Sequence, residues 1–506
     1  SETVNVTGTP RIAVDVGGVT RYATYTSGTG TSSLTFTYTM VAGDVDLDGV
    51  TLTSPMQLNG GTIKDLNGND ATLTFTVPNT SNVKVNYPSL GMDFVADADG
   101  RYTLNGTVYN DLTSFLSAAG GTFTRASIGT YYDASGTLQT AASGAPRFDY
   151  DPVTHAAKGI LIEENRTNLH FYSERIDQWT NNGNAIQIAT NSITAPDGNS
   201  TADVLTQTAV GAASRWVASR NFTPTTGQAY TFSVWLKKVS GTDPMPYIHF
   251  WINGFTASGD IGPITSNWER YTYTFTAGTS GAAPNFLGFD FGWASNGAAN
   301  NVAIGMWGAQ LEQGAFATSY IHTTGSTVSR AADSLSLSTS GWYNSSAGTI
   351  YAYYNYLPVE YGYGFTYGRN NSQIFRFERN AVSTFNNQLT MGRYLANGPS
   401  PAPFSLNISA RDVNGAGADI ADLSHVTTNL DGAGPFKSAV TYGASGVSIT
   451  TAGIAPTTNA TAFTNFQFDV LRLDHSYDGY VGCKNIRQLK YYPSAISNTQ
   501  LQLITQ

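Results

Sequence analysis

Short runs of alternating polar and apolar residues, separated by turn residues, most strongly limit how this chain can fold. They include "YTFSVWLKKV" (230–239), "RYTYTFTAG" (270–278) and "IFRFERN" (374–380). A period of two is that of a half-buried β-strand, and turn formers such as "DLNGND" and "DASG" lie between the runs. Helical patterns are confined to residues 111–120 and to the C-terminal "AISNTQLQLITQ", where Ser497 is a candidate N-cap. The sequence predicts an all-β fold of several β-sandwiches or jelly rolls in series, with very little helix.

Charge and cysteine content exclude several classes of protein. Only 12% of the 506 residues are charged, and the formal net charge is -9. An acidic chain of this kind does not fit a nucleic-acid binder, which has to neutralise phosphates. Cys483 is the only cysteine, which excludes an intramolecular disulfide and a zinc site built from several thiolates. No apolar run approaches the roughly 20 residues that cross a bilayer, so we expect no membrane insertion.

The length predicts about three or four domains. No period typical of a solenoid or propeller is present, so the domains are expected to differ from one another. Composition and turn placement divide the chain into four segments: 1–88, 89–165, 166–338 and 339–506. The second contains the short helix and a predicted hairpin, "TYYDASGTLQTA", and the third contains seven of the eight tryptophans.

Two long stretches resemble segments of bacteriophage virion proteins. Residues 123–174, "FTRASIGTYYDASGTLQTAASGAPRFDYDPVTHAAKGILIEENRTNLHFYSE", resemble a segment of tail-fibre and head-spike type proteins that commonly precedes a carbohydrate-binding-like β-sandwich. Residues 307–333, "WGAQLEQGAFATSYIHTTGSTVSRAAD", resemble the closing strand and exit of the same kind of jelly roll.

The two ends of the chain carry further resemblances. Residues 1–80, through "VTGTPRIAVDVGG", "AGDVDLDGV" and "GGTIKDLNGNDATLTF", resemble an immunoglobulin-like module of bacterial surface proteins. The last segment, ending "GCKNIRQLKYYPSAISNTQLQLITQ", resembles the concanavalin A-like or laminin-G-like sandwiches at the ends of phage fibres.

These resemblances imply a domain order and a role. They imply an immunoglobulin-like module (1–88), a β-hairpin connector with a short helix (89–165), a carbohydrate-binding-like jelly roll (166–338) and a concanavalin A-like sandwich (339–506). The expected role is a fibre or spike protein on the extracellular virion surface that binds host surface polysaccharide. Its other expected partners are further virion proteins and copies of itself.

The stretch "APRFDYDPVTHAAKGILIEENRTNL" (145–169) concentrates charge in a chain that has little. Alternation places Arg147, Asp149 and Asp151 on one face of a strand, opposite Phe148 and Tyr150. Such a cluster is either an active site or a set of ion pairs that joins one domain to the next. We favour the structural interpretation, because opposite charges on adjacent strands pair and fix the register.

The sequence offers little support for catalysis, and we expect no enzyme. The acids of the last segment are scattered, without the closely spaced carboxyl pair of a glycosidase. The histidines show no metal-binding spacing. "RLDHSYDG" (472–479) groups two acids with a histidine, and we interpret it as a polar loop. The alternatives are a depolymerase of capsular polysaccharide, built from residues distant in sequence, and a passive virion decoration protein without a ligand.

Binding of glycans is better supported, because glycan sites combine an aromatic platform with polar hydrogen-bonding groups. "YIHFWINGF" (247–255) alternates so that three residues share a face: His249, Trp251 and Asn253. Trp293 lies in a predicted loop rich in glycine and asparagine. These four residues are the predicted glycan site, whereas Trp235 and Trp307 fit a core. The tyrosine-rich stretch 351–371 fits either a ligand surface or a subunit contact.

Two acidic turns near the N-terminus suggest a structural calcium ion. The first, "GDVDLDGV", places three acids at alternate positions, as at the start of a calcium-binding loop: Asp44, Asp46 and Asp48. An EF-hand would need a glutamate near Pro55, so further oxygens are expected from the second turn, "KDLNGND": Asp65, Asn67 and Asp70. The alternative is two ordinary solvated turns, in which these residue types are favoured for backbone reasons.

Overall fold

A computed structural model of the protein describes residues 2–95, 101–181, 186–207, 216–219, 225–241, 248–252, 259–261, 263–277, 287–290, 302–356, 372–379, 388–395, 404–411, 419–426, 434–463, 467–473 and 484–506. Strands account for 49% of the structure and helices for 5%. The predicted all-β fold with several sheets is confirmed. No helix among these residues is both long enough and apolar enough to span a membrane.

The N-terminal segment forms a small module of antiparallel sheets. Its strands are β1 (Val4–Thr7), β2 (Arg11–Val16), β3 (Val19–Ser27), β4 (Thr35–Thr37), β5 (Val45–Asp46), β6 (Thr51–Gln57), β7 (Thr62–Asp65) and β8 (Val85–Asn86). Four of them form a sheet in the order β4-β3-β2-β6, while β1 pairs with β7 and β5 with β8. The buried core is small: Val14, Val16, Ala23, Val50 and Val85.

The second segment contains the predicted helix and hairpin. Its elements are β9 (Leu90–Asp93), β10 (Tyr102–Leu104), β11 (Thr107–Tyr109), α1 (Leu112–Ala118), β12 (Thr122–Thr124), β13 (Gly129–Tyr132), β14 (Leu138–Ala141), β15 (Phe148–Tyr150) and β16 (Ala157–Ile162). Helix α1 begins after Asp111, whose carboxylate accepts a hydrogen bond from the Ser114 amide at 2.8 Å. Strands β13 and β14 pair as the expected antiparallel hairpin.

The third segment forms two antiparallel sheets of five strands. Its strands are β17 (Arg166–Asn168), β18 (Thr180–Asn181), β19 (Ile186–Ile193), β20 (Ala202–Gln207), β21 (Trp216–Ser219), β22 (Ala229–Ser240), β23 (Ile248–Ile252), β24 (Gly259–Ile261), β25 (Glu269–Thr276), β26 (Leu287–Asp290), β27 (Ala303–Gln313) and β28 (Val328–Arg330). The first sheet has the order β19-β20-β27-β22-β25, and the second sheet has the order β18-β21-β26-β23-β24. Strands β17 and β28 pair where the chain enters and leaves this block.

The last segment supplies most of two larger sheets. Its elements are β29 (Ser334–Ser338), β30 (Gly348–Tyr356), β31 (Ser372–Glu378), β32 (Gln388–Leu395), β33 (Phe404–Arg411), β34 (Asp419–Val426), β35 (Phe436–Gly443), β36 (Gly446–Thr451), β37 (Thr457–Asn459), β38 (Val470–Arg472), β39 (Lys484–Tyr492) and α2 (Asn498–Ile504). Ser497 caps α2 as expected, its hydroxyl accepting a hydrogen bond from the Gln500 amide at 3.3 Å. One sheet has seven strands and the other ten.

Residues 89–165 differ from the expected connector because most of their strands belong to these two large sheets, whereas β13 and β14 pair only with each other. Strand β39 pairs with β9 on one part of its length and with β16 on another. Strand β12 pairs with β29 in the seven-stranded sheet. A shared apolar core contains side chains from both parts of the chain, among them Phe94, Phe115, Ile160, Leu335, Leu389 and Leu489. The block 166–330 is therefore an insertion between β16 and β29 of one structural unit.

The N-terminal module contacts the C-terminus of the chain directly. Val45 packs in a small apolar cluster with Tyr492 and Leu501. The Leu47 amide donates to the side-chain oxygen of Gln500 at 2.7 Å, and the Tyr492 hydroxyl lies 2.5 Å from the Asn86 side-chain oxygen. The first and last elements of the chain are thus held together by apolar and polar contacts.

One histidine is buried in the core of the third segment without a polar partner. His170 is 3% exposed, and its ring lies 4.5 Å from that of Trp179 and 5.9 Å from that of Phe232. Neither ring nitrogen has a hydrogen-bond partner. Burial lowers the pKa of His170 from its ordinary value to about 3, because the charged imidazolium is poorly solvated there. The folded protein therefore holds this ring neutral.

This burial predicts a loss of stability in mild acid. A histidine in the unfolded chain takes up a proton as the pH falls below about 6.5, whereas His170 in the folded protein does not. The contribution of neutral His170 to the free energy of unfolding is therefore fully present above pH 6.5 and decreases as the pH falls towards the pKa of the folded state. Between pH 6.5 and 5 the loss amounts to about 2 kcal/mol. His170→Phe should remove this part of the pH dependence in urea unfolding. His155→Asn, which changes an exposed histidine, should retain it. Equal slopes for all three proteins would contradict the assignment.

Candidate functional site

The charged stretch 145–169 forms part of a buried ion-pair network. We use the name charged network for five side chains: Arg125, Arg147, Glu163, Arg330 and Asp333. Arg147 pairs with both acids, at 2.7 Å from Glu163 and at short range from Asp333. Arg125 lies 3.0 Å from Asp333, and Arg330 lies 3.2 Å from Glu163. The side chains of all five are at most 1% exposed.

The electrostatics of the charged network are those of a structural ion-pair cluster. Burial alone would raise the pKa of Glu163, but Arg330, Arg147 and the Ser319 hydroxyl and amide lower it to about 2. Glu163 is therefore ionised throughout the physiological pH range. A carboxylate that is fully buried and fully paired has no access to substrate, so the structural interpretation of this stretch is confirmed by its contacts.

The charged network joins the two stretches that resemble virion proteins. Arg125, Arg147 and Glu163 lie in residues 123–174, whereas Arg330 and Asp333 lie in residues 307–333. The Ser319 hydroxyl, from the second stretch, lies 2.6 Å from Glu163 and accepts a hydrogen bond from Arg147 at 2.8 Å. Two stretches far apart in sequence are thus brought together through their charged residues.

The hairpin β13–β14 covers the face of the first sheet that carries Trp235. The Trp235 ring nitrogen donates to the Tyr132 hydroxyl at 3.0 Å, and the Arg270 guanidinium lies 4.4 Å from the centre of the Trp235 ring. Trp307 lies 4.7 Å from Tyr320, and both tryptophans are at most 2% exposed. Their predicted core position is confirmed. The opposite residues of β22, such as Phe232 and Val234, lie in the core of the third segment. Both faces of the first sheet therefore pack against other parts of the protein.

Strand register defines the two faces of the second sheet. His249 lies opposite Asp290, and Trp251 lies opposite Gly288. Asp290 also lies opposite Trp216 of β21, and His249 opposite Asp260 of β24. Because directly paired residues share a face and neighbours in a strand alternate, one face, named here the polar face, carries these positions: Thr180, Trp216, Ala218, His249, Trp251, Asp260, Gly288 and Asp290.

The opposite face of the second sheet has the composition of a core face. Its positions include Val217, Ile248, Phe250, Ile252, Ile261, Leu287 and Phe289. A sheet that is apolar on one face and polar on the other buries the apolar one. The face that carries the two tryptophan positions is therefore the less apolar of the two.

The structure locates part of the predicted glycan site. The backbone of His249 and Trp251 lies in β23, where the two positions share a face as predicted, but their side chains are outside the described residues. Asn253 and Trp293 also lie outside the described residues, as do residues 357–371 of the tyrosine-rich stretch. Trp216, Asp260 and Asp290 were missed by sequence reasoning, because only strand pairing brings them to the same face.

The acids of the first turn already have protein partners. Asp44 accepts hydrogen bonds from the Arg21 guanidinium, from the Tyr38 hydroxyl and from the Val41 amide. Asp46 accepts from the Gly17 amide at 2.7 Å and from the Gly49 amide at 2.8 Å. Asp48 is exposed and contacts the side-chain amide of Gln500.

The second turn has the hydrogen bonds of an ordinary acidic turn. Asp65 accepts from the amides of Asn67 and Asn69, both at 2.8 Å. The Asn69 side chain and these backbone amides lower the pKa of Asp65. Asp70 pairs with Lys64 at 2.6 Å. Among side chains that the structure describes, no three His, Cys, Asp or Glu form a group that could hold a metal. Calcium binding by these turns stays a prediction.

A cleft of about 570 Å³ lies where the N-terminal module meets α2. Its walls include three carboxylates, several hydroxyls and the Gln500 side chain. Asp46 and Asp48 line it together with Asp15, whereas Asp65, Asn67 and Asp70 do not. Of the two predicted calcium turns, only the first faces this cleft.

The proposed polar loop 472–479 lies mostly outside the described residues. Only Arg472 and Leu473 belong to the described part, in and next to β38, and Arg472 pairs with Glu378. The interpretation of this stretch as a polar loop, and the expectation that the protein has no enzyme activity, stay predictions.

Comparisons with known proteins identify no family. No family model matches the chain, and a search of curated proteins found no match. Among solved structures, the N-terminal CBM22-1-CBM22-2 tandem domain from Paenibacillus barcinonensis Xyn10C is similar over 65% of this chain and 98% of its own, with 7% identity and a TM-score of 0.23. The tripod (BppUct-A-L) from the baseplate of bacteriophage Tuc2009 is similar over 53% of this chain and 98% of its own, with 15% identity and a TM-score of 0.19. TM-scores this low do not establish a shared fold.

The charged network predicts a large cost for removing one partner. Arg147→Ala leaves Glu163 and Asp333 with less compensation in a fully buried site, so it should lower the free energy of unfolding by about 3–5 kcal/mol. Denaturant unfolding of the full chain measures this loss. Arg175→Ala, which removes a solvent-exposed arginine paired with Asp177, is the matched control and should cost far less stability than Arg147→Ala. Similar values for the two variants would contradict a structural role for the network.

The variant Asp46→Ala distinguishes calcium binding by Asp46 from a purely structural role of this residue. Its two hydrogen bonds to backbone amides predict that Asp46→Ala lowers stability by about 2–3 kcal/mol in the presence of chelator. A calcium site would add a rise in the melting temperature of the parent on adding calcium, absent in Asp46→Ala. Asp70→Ala, with its exposed pair, is the control. Identical melting curves of the parent in calcium and in chelator would mean that Asp46 only stabilises the turn through its hydrogen bonds.

Proposed function

We propose that this chain is a phage virion adhesin, a fibre or spike protein that binds host surface polysaccharide reversibly through the polar face of the second sheet. The register of that sheet carries the proposal. It places two tryptophans, Trp216 and Trp251, on one face together with His249, Asp260 and Asp290. Aromatic rings combined with carboxylates and an imidazole are the groups that bind the apolar faces and hydroxyls of sugars.

The packing of both faces of the first sheet supports the second sheet as the location of the glycan site. One of its faces forms the core, and the hairpin β13–β14 packs on the other through Trp235 and Tyr132. An extended sugar chain needs an accessible sheet face, and we assign that role to the polar face of the second sheet, which carries two tryptophan positions. The location on the virion rests on the resemblance of residues 123–174 and 307–333, which contact each other through the charged network.

Weak binding at each site is compatible with stable attachment of a particle. Several copies on one virion bind a repetitive polysaccharide at once, and the second contact then forms at a high effective concentration. Copies of this chain and other virion proteins are therefore proposed partners. Their role is to present several polar faces to the same host surface.

A glycan array followed by a reducing-sugar assay on the bound glycans tests the proposal. Trp216→Ala and Trp251→Ala should each weaken binding about tenfold, because a stacked ring contributes about 1–3 kcal/mol by analogy with base stacking. Trp268→Ala is the matched control, because this half-buried tryptophan precedes β25 of the first sheet. Circular dichroism confirms that each variant is folded.

The remaining outcomes distinguish the other functions. Unchanged binding in both folded variants would reject the polar face as the site. New reducing ends on a bound polysaccharide would indicate a depolymerase in place of an adhesin. Absence of binding across a broad panel of host polysaccharides would indicate a passive decoration protein.

A further inference from the structure

A row of half-buried side chains crosses four adjacent strands of the ten-stranded sheet. The register places Asp93 of β9 opposite Gln488 of β39. Tyr353 of β30 lies opposite Gln488 on one side and opposite Lys437 of β35 on the other. An irregularity of the register beside Tyr353 leaves Arg487 as an additional residue, whose guanidinium carbon lies 5.0 Å from the centre of the Tyr353 ring. These five residues are named the tyrosine strip.

The tyrosine strip lies on the outer face of this sheet. The residues that alternate with it along the strands, among them Met92, Tyr354 and Leu489, belong to the shared core. Each of the five strip residues is partly exposed. Because adjacent strands lie about 4.8 Å apart, a row across four strands spans about 14 Å. That length suits a segment of an oligosaccharide better than a single sugar.

Packed regions lie on both sides of the tyrosine strip along the strands. On one side, Tyr351 and Ala439 are buried in a cluster with Leu501 of α2. On the other side, Asn485 is buried, and its side-chain amide lies 3.4 Å from Asp149, which accepts a hydrogen bond from a backbone amide of β13. The strip is therefore a solvent-accessible band between two covered regions of the same face.

The charge of the tyrosine strip favours an anionic ligand. In the part of the chain that the structure describes, Arg487 has no carboxylate partner: its Nη1 donates to the hydroxyl of the strip's tyrosine at 3.0 Å, and its Nε–H has no hydrogen-bond partner. Asp93 is already paired with Arg101 at 3.2 Å. Lys437 adds a second cation, whose ammonium donates to the backbone carbonyl of Gln506 at 2.7 Å. A protein with 26 basic and 35 acidic residues thus places two cations beside one aromatic ring.

We propose that the tyrosine strip binds a polysaccharide that carries carboxylate groups. The ring of Tyr353 offers a surface for the apolar face of a sugar, and the Gln488 side chain offers hydrogen-bonding groups for hydroxyls. The guanidinium of Arg487 presents several N–H donors in a planar arrangement that matches a carboxylate. Lys437 contributes a further positive charge at the end of the row.

The tyrosine strip goes beyond the proposed function, because it lies in another sheet and adds a ligand class, carboxylated glycans. It does not require that the polar face of the second sheet binds a glycan. Comparison of an acidic polysaccharide with the carboxyl-reduced form of the same polymer isolates the contribution of the carboxylates.

A panel of uronate- and sialate-containing polysaccharides, each paired with its carboxyl-reduced form, tests the strip on the full chain. The parent should bind at least one acidic member about tenfold more tightly than its reduced form, and added salt should diminish this difference. Arg487→Gln should remove most of the difference and Lys437→Gln part of it. Tyr353→Leu, which keeps an apolar side chain at this half-buried position, should weaken binding of both forms. Arg379→Gln, which changes an exposed arginine after β31 of the seven-stranded sheet, should bind like the parent.

Each result in variants that circular dichroism shows to be folded decides the proposal. Loss of the preference in Arg487→Gln and its retention in Arg379→Gln support the strip. Equal binding of acidic and reduced forms by the parent across the panel would overturn it. A preference that survives in Arg487→Gln but is lost in Trp216→Ala would overturn the strip while leaving the proposed function intact. A changed oligomeric state in Arg487→Gln with unchanged glycan binding would identify the strip as a subunit contact and overturn the glycan assignment.

Discussion

The buried pairing of Arg147 with Glu163 and Asp333 is the interaction on which the arrangement of the chain depends. Three arginines and two acids leave one excess positive charge. Guanidinium N–H groups of Arg147 and Arg125 also donate to the backbone carbonyls of Thr130 and Ala142, whereas the Nε–H groups of Arg147 and Arg330 have no hydrogen-bond partner. Buried charges are tolerated only when they are compensated in this way. These contacts join the hairpin β13–β14 to the segments where the chain enters and leaves the inserted block.

The architecture could be predicted where it depends on local pattern. Alternation predicted the strands, helical patterns predicted both helices, and Ser497 was predicted as the cap of the second one. The depth of burial of Trp235 and Trp307 also followed from their position in apolar strands. The membership of residues 89–165 in the C-terminal sheets could not be predicted, because the pairing of β9 and β16 with β39 joins strands more than 300 residues apart. Several strands of this chain have similar sequences of alternating residues and could pair with any of these three. Which strands actually pair depends on how the side chains pack in the core.

The candidate site shows the same division between local and long-range information. The shared face of His249 and Trp251 is a property of one strand and is visible in the sequence. The additional positions, Trp216, Asp260 and Asp290, belong to three other strands, and no local pattern connects them. For the acidic turns, the sequence suggested a site that the structure does not test. Their composition suggested a bound cation, and in the structure Asp44 and Asp46 accept hydrogen bonds from groups of the protein.

The contact between the N-terminal module and the C-terminal helix determines how mechanical load travels through the protein. Force applied to the module passes through Val45, Tyr492 and Leu501 directly into the large sheets. The block 166–330 is connected to those sheets at both of its ends, between β16 and β29, and lies outside that path. A force applied between the N-terminal module and the large sheets would therefore load these two parts while leaving the inserted block unloaded. A ligand held by that block would experience tension only through its own attachment.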